Sequence, residues 1–269
     1  MSTDKDAPEK HPTELLGKAQ RGFDPMGTFR SVLRHWLHRA VLHTGFRLQR
    51  IPRFEQRIRL AMEEGKPFTM IQVGAHNGVT SDPFHRLLIE LQNWQALLLE
   101  PQREPFEVLQ SIYAGLPRVT CRQVAVGDHG STLKLYRVGG DTSQLPYWAT
   151  QLASTRREVI EAHRDQIPNL SERIVCDQLP CVDLPSLFRD TKWPRLDLLV
   201  TDVEGADFEV IQQIDQLPSL PRFLFFEDRH LTSGEKIECL RFLQARRYRV
   251  VWEQSGDCFA EHFDAMART

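Results

Sequence analysis

Two apolar segments, each followed by residues suited to ligand binding, give the strongest chemical signal in this chain of 269 residues. The first, residues 68–73, leads into the loop Gly-Ala-His-Asn-Gly at 74–78, and the second, residues 96–99, ends at Glu100. Glycine lets the backbone turn sharply and approach a ligand closely, and a carboxylate after the second strand is suited to a ribose diol. The order strand, glycine-containing loop, helix, strand and acid predicts a nucleotide-binding βαβ unit.

The spacing of the glycines indicates which ligand the loop accepts. A dinucleotide-binding loop has the pattern GxGxxG, whereas residues 74–78 have GxxxG and would cradle a pyrophosphate poorly. S-adenosylmethionine carries no phosphate and is compatible with this looser loop. We therefore predict S-adenosylmethionine as the cofactor, and the alternative is a purely structural turn between strand and helix.

The composition favours a globular protein without a strong charge. Apolar residues make up 41% of the chain and the net charge is −2, so no overall attraction to nucleic acid is expected. No secretory signal or membrane span is evident in the sequence. The cysteines form no CxxC pair, which favours a reduced, cytoplasmic protein over a metal or disulfide pair at Cys176 and Cys181.

The N-terminal part differs in character from the rest of the chain. Residues 1–25 are polar and predict a disordered lead. Residues 26–51 predict a basic amphipathic helical segment, because apolar residues recur at helical spacing over 28–44 between arginines and histidines. This helix would either pack on the domain formed by residues 52–269 or make a peripheral membrane contact through residues 28–44.

The remaining chain alternates between strand and helix patterns, which predicts an α/β fold with a doubly wound, mostly parallel sheet. Strands are predicted at residues 68–73, 96–99, 118–126, 131–138, 196–201 and 222–226, and an antiparallel terminal hairpin at 248–252 and 258–260. Capping patterns place helix starts at Asp82-Pro83, at Thr155 with Glu158, and at Thr232 with Glu235. An insertion at about residues 139–180 interrupts the alternation and is a candidate lid.

Six motifs follow one another along the chain. They are IQVGAHNGVTSDP (71–83), LLLEP (97–101), VAVGD (124–128), LDLLVTDVEGAD (196–207), FFEDRHL (225–231) and RRYRVV (246–251). In their order and spacing the chain resembles the FkbM-type family of S-adenosylmethionine-dependent methyltransferases. The resemblance implies a seven-stranded, Rossmann-like class I methyltransferase fold, and methyl transfer to a hydroxyl of a sugar, glycan or secondary metabolite. The chain departs from the family pattern at Gln72, His76 and Asn77, where relatives carry different polar or acidic residues.

The candidate cofactor-binding residues lie after the predicted strands, where ligands bind in such sheets. They are Gly74, Ala75, His76, Asn77, Gly78, Asp82, Glu100, Pro101, Ala125, Val126, Asp128 and Asp202. Residues 124–126 are expected to line the adenine slot, with Asp128 either accepting from the adenine amine or shaping the turn before Gly130.

The candidate catalytic residues are Asp202, His230 and Glu204. A hydroxyl acceptor needs a base to take its proton, and Asp202 and His230 follow different strands, so an acceptor oxygen could lie between them. The structural alternative is that Asp202 and Glu204 cap the following helix. No metal ligand is assigned, although Asp202, Glu227 and Asp228 form an alternative set for a divalent cation.

The function that we predict is S-adenosylmethionine-dependent O-methyl transfer to a small molecule or glycan, in the cytoplasm or at the membrane periphery. The alternative is a catalytically silent binding protein with the methyltransferase fold, for which the departures at Gln72, His76 and Asn77 argue. The sequence indicates no nucleic-acid partner, and it does not define the oligomeric state.

Overall fold

The computed structural model describes residues 53–62, 66–252 and 256–263. The strands are β1 (Phe68–Val73), β2 (Trp94–Leu99), β3 (Val119–Arg122), β4 (Ala125–Val126), β5 (Thr132–Val138), β6 (Ala153–Ser154), β7 (Ile174–Val182), β8 (Leu198–Thr201), β9 (Phe223–Glu227), β10 (Tyr248–Trp252) and β11 (Asp257–His262). The α-helices are α1 (Arg53–Met62), α2 (His85–Glu90), α3 (Arg103–Tyr113), α4 (Tyr147–Gln151), α5 (Arg157–Glu161), α6 (Leu170–Arg173), α7 (Leu184–Thr191), α8 (Asp207–Gln212) and α9 (Ser233–Ala245). The predicted segments 1–25 and 26–51, with the amphipathic helix at 28–44, lie outside these residues.

The larger sheet has seven strands in the order β10-β11-β9-β8-β1-β2-β3. Strand β1 pairs in parallel with β2 and β8, β8 with β9, and β2 with β3, whereas β11 is antiparallel to both β9 and β10. The prediction of a doubly wound, mostly parallel, seven-stranded sheet with an antiparallel terminal hairpin is confirmed.

Apolar residues fill both faces of this sheet. All six residues of β1 are buried, as expected for a central parallel strand covered on both sides. Ile71 and Val73 pack in one core cluster with side chains of α7, α8 and α9, and Met70 packs in the other with side chains of α1, α2 and α3. The mostly apolar sequence of β1 therefore reflects burial on both faces of the sheet.

The predicted strand at 118–126 is wrong in its extent, because the structure divides it into two. Strand β3 belongs to the larger sheet, while β4 joins a second, four-stranded sheet in the order β4-β7-β5-β6. Strand β7, which the sequence analysis did not predict, pairs antiparallel with all seven residues of β5. This second sheet, together with α4, α5 and α6, makes the segment after β5 a small packed layer with its own apolar cluster.

Two of the three predicted helix starts are wrong. Helix α2 begins at His85, although the Asp82 side chain still accepts from the Phe84 N–H at 2.7 Å. Helix α5 begins at Arg157 without any side-chain cap, so Thr155 and Glu158 form no capping box. The predicted capping box of Thr232 and Glu235 at the start of α9 is confirmed. Throughout the described ranges, every helix is too short or too polar to cross a membrane.

Candidate functional site

The register of the larger sheet brings the predicted site residues into one row. Val73 is paired with Leu99 on β2 and with Thr201 on β8, and Thr201 is paired with Phe226 on β9. The residues that follow these partners are Gly74, Glu100, Asp202 and Glu227. Because the strands are parallel, these four residues leave the sheet at the same edge, as the sequence analysis expected.

Gly74 allows the ends of β1 and β8 to approach each other closely. Its φ is +81°, and a Cβ built on it would lie 1.9 Å from the Asp202 carbonyl oxygen. The Asp202 N–H also donates to the Val73 carbonyl at 3.0 Å. A side chain at position 74 would therefore displace the backbone that carries Asp202.

The loop after β1 is held by its own hydrogen bonds. The N–H groups of Gly74 and Ala75 both donate to the Leu99 carbonyl, at 3.0 and 2.9 Å. The Asn77 side chain accepts from the N–H groups of Val79 and Thr80, at 3.1 and 2.9 Å. Asn77 therefore shapes the loop from within.

Glu100 connects this loop to the end of β2. One carboxylate oxygen accepts from the His76 N–H at 2.9 Å and the other from the Gln102 N–H at 2.8 Å. The residue is only 3% exposed, and burial raises the pKa of its carboxyl group to about 7. Each oxygen keeps a second lone pair, with which it could accept from a ribose hydroxyl.

Asp82 and Gln72 form a second buried pair near the loop. The Gln72 side-chain amide donates to Asp82 at 3.3 Å, and its oxygen accepts no hydrogen bond from the described residues. Burial raises the pKa of Asp82. Gln72 therefore interacts with a buried carboxyl group close to the loop.

An apolar slot lies beside the row of strand ends and has a volume of about 550 Å³, which includes space open to solvent. It is lined by Val124, Ala125 and Val126, which the sequence places at an adenine site, and also by Leu133 and Leu135 of β5. These surfaces suit the flat, largely apolar faces of a purine base. Asp128 does not line the slot; its carbonyl accepts from the Ser131 N–H at 3.0 Å in the turn before β5.

A larger cavity, of about 1760 Å³ including space open to solvent, also has Asp202 in its lining. We call it the acidic cavity, because six carboxyl groups line it, those of Asp82, Glu100, Asp202, Glu204, Glu227 and Asp257. Val79 and Trp148 also line it and are 44% and 37% exposed. The Trp148 ring lies 5.4 Å from that of His163, between ring centroids. The lining of the cavity therefore combines acidic side chains with an aromatic ring.

The slot and the acidic cavity meet at a few shared residues. Both are lined by Gly74, Glu100, Gln102, Ala153 and Asp202. Of the remaining predicted cofactor residues, Pro101 lines the slot, and His76 and Asp82 line the acidic cavity. Ala75, Asn77, Gly78 and Asp128 line neither; the first three belong to the loop that brings Gly74 to the junction.

The three predicted catalytic side chains lie together on the acidic cavity. His230 Nε2 is 2.8 Å from Glu204 Oε2 and 3.7 Å from Glu227 Oε2. The Glu204 carboxylate raises the pKa of His230. Burial, and then the charge of Glu204, raises the pKa of Glu227 to about 7.

Asp202 reaches solvent through the cavity, yet protein atoms surround it closely. This desolvation, followed by the charges of Glu227 and Asp207, raises its pKa well above the usual range. The raised pKa of Asp202 therefore comes first from desolvation and then from the acidic groups around it.

Residues of the small packed layer that follows β5 hold the loop after β8 in place. The Ser154 hydroxyl of β6 donates to the Glu204 carbonyl, and Glu204 itself has a positive φ of +50°. Arg156 forms an ion pair with Glu235 at the start of α9. Sequence reasoning missed these contacts, and the lining by Ala153 and Leu133, because all of them depend on the pairing of β5 with β6 and β7.

A parallel sheet with a glycine-containing first loop, an acid after β2 and an apolar slot after β3 is the arrangement of a class I methyltransferase. The model of the methyltransferase FkbM domain matches residues 72–250. Because the match covers more than half of the chain, the protein belongs to the FkbM family of S-adenosylmethionine-dependent methyltransferases. The resemblance stated from the motifs is confirmed.

Solved methyltransferase structures show more distant similarity. An S-adenosylmethionine-dependent O-methyltransferase from Thermotoga maritima is 13% identical over 82% of this chain and 69% of that chain, with a TM-score of 0.39. A methyltransferase from Podospora anserina, bound to S-adenosylhomocysteine, is 10% identical over 90% of this chain and 97% of that chain, with a TM-score of 0.38. A search of curated proteins found no match.

Proposed function

We propose that the protein transfers a methyl group from S-adenosylmethionine to a hydroxyl oxygen of a sugar, glycan or secondary metabolite. The observation that carries this proposal is the position of Asp202, which lines both the apolar slot and the acidic cavity. A cofactor with its adenine in the slot would extend past Gly74 toward Asp202, and an acceptor in the acidic cavity would approach the same side chain.

The residues present fit this cofactor. The slot offers apolar side chains to an adenine, and Glu100 offers carboxylate lone pairs to a ribose diol. The carboxyl groups of the acidic cavity suit the positive charge of the sulfonium and amino groups. When bound, S-adenosylmethionine supplies an electrophilic methyl group.

In this proposal Asp202 is the group that takes the proton from the acceptor hydroxyl. The Asp202 carboxylate would take the hydroxyl proton as the acceptor oxygen receives the methyl group that S-adenosylmethionine would supply, with S-adenosylhomocysteine as the leaving group. Glu204 and His230, across the same cavity, orient the acceptor. Positioning the acceptor oxygen in line with the methyl group supplies a large part of the rate enhancement.

Labelled cofactor tests the proposal. The protein is incubated with S-adenosylmethionine carrying a ¹³C-methyl group and a panel of sugars, glycans and hydroxylated metabolites, and NMR identifies the product carbon. We expect a methoxy signal, and Asp202→Asn should lower the single-turnover rate by about 10²-fold or more while S-adenosylhomocysteine affinity changes little.

Three results would count against the proposal. A labelled N-methyl or C-methyl product would contradict oxygen as the acceptor atom. Normal turnover of Asp202→Asn would contradict the role of Asp202. Tight cofactor binding without transfer to any member of the panel would favour the silent binding protein, for which the departures at Gln72, His76 and Asn77 argue.

A further inference from the structure

Three side chains with metal-binding atoms line the acidic cavity near the ends of β8 and β9. Glu204 follows β8, Glu227 is the last residue of β9, and His230 lies three residues further along. One ligand atom from each of them lies within 4.8 Å of the other two. This set differs from the one that the sequence suggested, because Asp228 contacts the Lys236 ammonium group at 3.6 Å instead.

The hydrogen bonding of these side chains is incomplete. Glu204 Oε2 and Glu227 Oε2 are both buried atoms, and neither accepts a hydrogen bond from the described residues. His230 Nε2 lies 2.8 Å from Glu204 Oε2 and forms an ion pair with it when the imidazole is protonated. One imidazole does not satisfy both buried carboxylate oxygens, which are costly to leave without a partner, so the arrangement suits a cation shared by the three side chains.

The surrounding charge also favours a cation. Asp202, Asp207 and Asp257 lie close enough to interact electrostatically with one another or with Glu204 and Glu227. Arg229 contacts Glu227 at 3.7 Å, which offsets part of this charge. A divalent ion among the carboxylates would remove much of the remaining repulsion.

We propose that Glu204, Glu227 and His230 bind one divalent cation of the Mn²⁺ or Zn²⁺ type. Bonds of ~2.0–2.2 Å place neighbouring ligands about 3.0–3.6 Å apart, which compares with the 2.8 and 3.7 Å between His230 and the two carboxylates. Imidazole together with carboxylates suits the borderline ion Zn²⁺, and Mn²⁺ accepts the same set, whereas Mg²⁺ and Ca²⁺ prefer oxygen ligands alone.

Three protein ligands leave coordination positions open toward the cavity. In the context of the proposed function, on which this step rests, an acceptor oxygen would occupy an open position beside Asp202. The ion would then orient the acceptor and make its hydroxyl proton easier to remove. His230, as a ligand, would have no role as a base, which leaves the proton to Asp202.

Binding of Mn²⁺ tests the site directly. The free ion gives a six-line electron paramagnetic resonance spectrum that is lost on binding, so a titration of the full chain gives both affinity and stoichiometry. We expect one site, and competition for it by Zn²⁺ but not by Ca²⁺. Glu227→Gln and His230→Ala should each weaken Mn²⁺ binding at least tenfold.

Asp228→Asn is the matched control, because its carboxylate lies on the same loop but is directed to Lys236. We expect this variant to bind Mn²⁺ like the wild type. Glu227→Gln should also raise the melting temperature of the metal-free protein, because it removes one of several mutually repelling carboxylates. That gain would show that the lost binding does not come from misfolding.

Four outcomes would overturn the proposal: no Mn²⁺ site, equal binding after Glu227→Gln, strong competition by Ca²⁺, or loss of binding in Asp228→Asn. Calorimetry with S-adenosylhomocysteine on the same samples separates this inference from the proposed function. If S-adenosylhomocysteine binds but no metal site is found, only the metal proposal is refuted. If Mn²⁺ binds but S-adenosylhomocysteine does not, the proposed function is refuted.

Discussion

Replacing Gly74 with alanine tests how the strand ends form the junction between slot and cavity. Alanine at a φ of +81° costs about 1–2 kcal/mol in backbone strain. Its Cβ would also lie 1.9 Å from the Asp202 carbonyl oxygen, whereas a tolerated carbon–oxygen contact is ~3.3 Å or longer. The ends of β1 and β8 would therefore have to separate by more than about 1 Å.

Gly130→Ala is the control for this substitution. Gly130 has a similar φ of +74°, but a Cβ there meets no atom within 4 Å, so it carries the strain without the clash. Because overpacking costs about 1–3 kcal/mol or more, we expect Gly74→Ala to lose about 3–5 kcal/mol. The control should lose about 1–2 kcal/mol.

Denaturant unfolding measures the two free energies, and calorimetry measures S-adenosylhomocysteine affinity. Gly74→Ala should weaken binding at least tenfold, because Gly74 and Asp202 line both cavities, while Gly130→Ala should leave it unchanged. Equal stability losses in the two variants would refute the argument from close backbone approach. Wild-type affinity in Gly74→Ala would refute the position of the cofactor.

Three further predictions concern pH, the opposite end of the sheet and the acceptor. Burial raises the Glu100 pKa from 4.5 to about 7, so the folded state keeps a proton that the unfolded chain loses. As pH rises from 4.5 to about 7, the free energy of unfolding of the wild type should therefore fall by up to about 3 kcal/mol more than that of Glu100→Gln. Urea unfolding at pH 4.5 and 7.5 measures both free energies, and an equal pH dependence in the two proteins would contradict this prediction. Asp197 is 0% exposed and accepts from the Thr69 N–H at 3.0 Å, so Asp197→Ala should cost about 3–5 kcal/mol in the same assay; a loss below about 1 kcal/mol would contradict it. Trp148→Ala should raise the acceptor KM about tenfold, with less effect on kcat, because the ring lines the acidic cavity; Trp148→Phe should retain most of the affinity, and an unchanged KM in Trp148→Ala would remove the ring from the site.

The sequence predicted the larger sheet because its strands carry clear local signals. Buried runs such as residues 68–73 are mostly apolar, and each ends where a glycine or an acid follows. Since parallel strands end at one edge, Gly74, Glu100 and Asp202 could be brought together before any coordinates were known.

The second sheet escaped prediction because its strands lack such signals. Strand β7 consists mostly of partly buried and exposed residues, and its pairing with β5 joins residues that are far apart in the sequence, from Val138 with Ile174 to Thr132 with Pro180. The lining of the slot by Leu133 and Leu135 follows from that pairing. The cavity wall at Ala153 follows from the pairing of β5 with β6.

Local polar contacts were the other source of error. Asp82 was predicted to cap the next helix, but it also accepts from Gln72, and the helix begins three residues later. Asn77 stays a predicted cofactor residue, and its side-chain oxygen also accepts from two N–H groups within the loop. Such side chains have several partners within reach, and the packed structure decides among them.

A crystal structure with S-adenosylhomocysteine would test the central claim most directly. We predict that the adenine lies in the apolar slot against Ala125, that the ribose hydroxyls donate to Glu100, and that the sulfur lies beside Asp202 at the opening to the acidic cavity. Adenine bound outside the slot, or a sulfur atom separated from Asp202 by the loop at residues 74–78, would contradict the account.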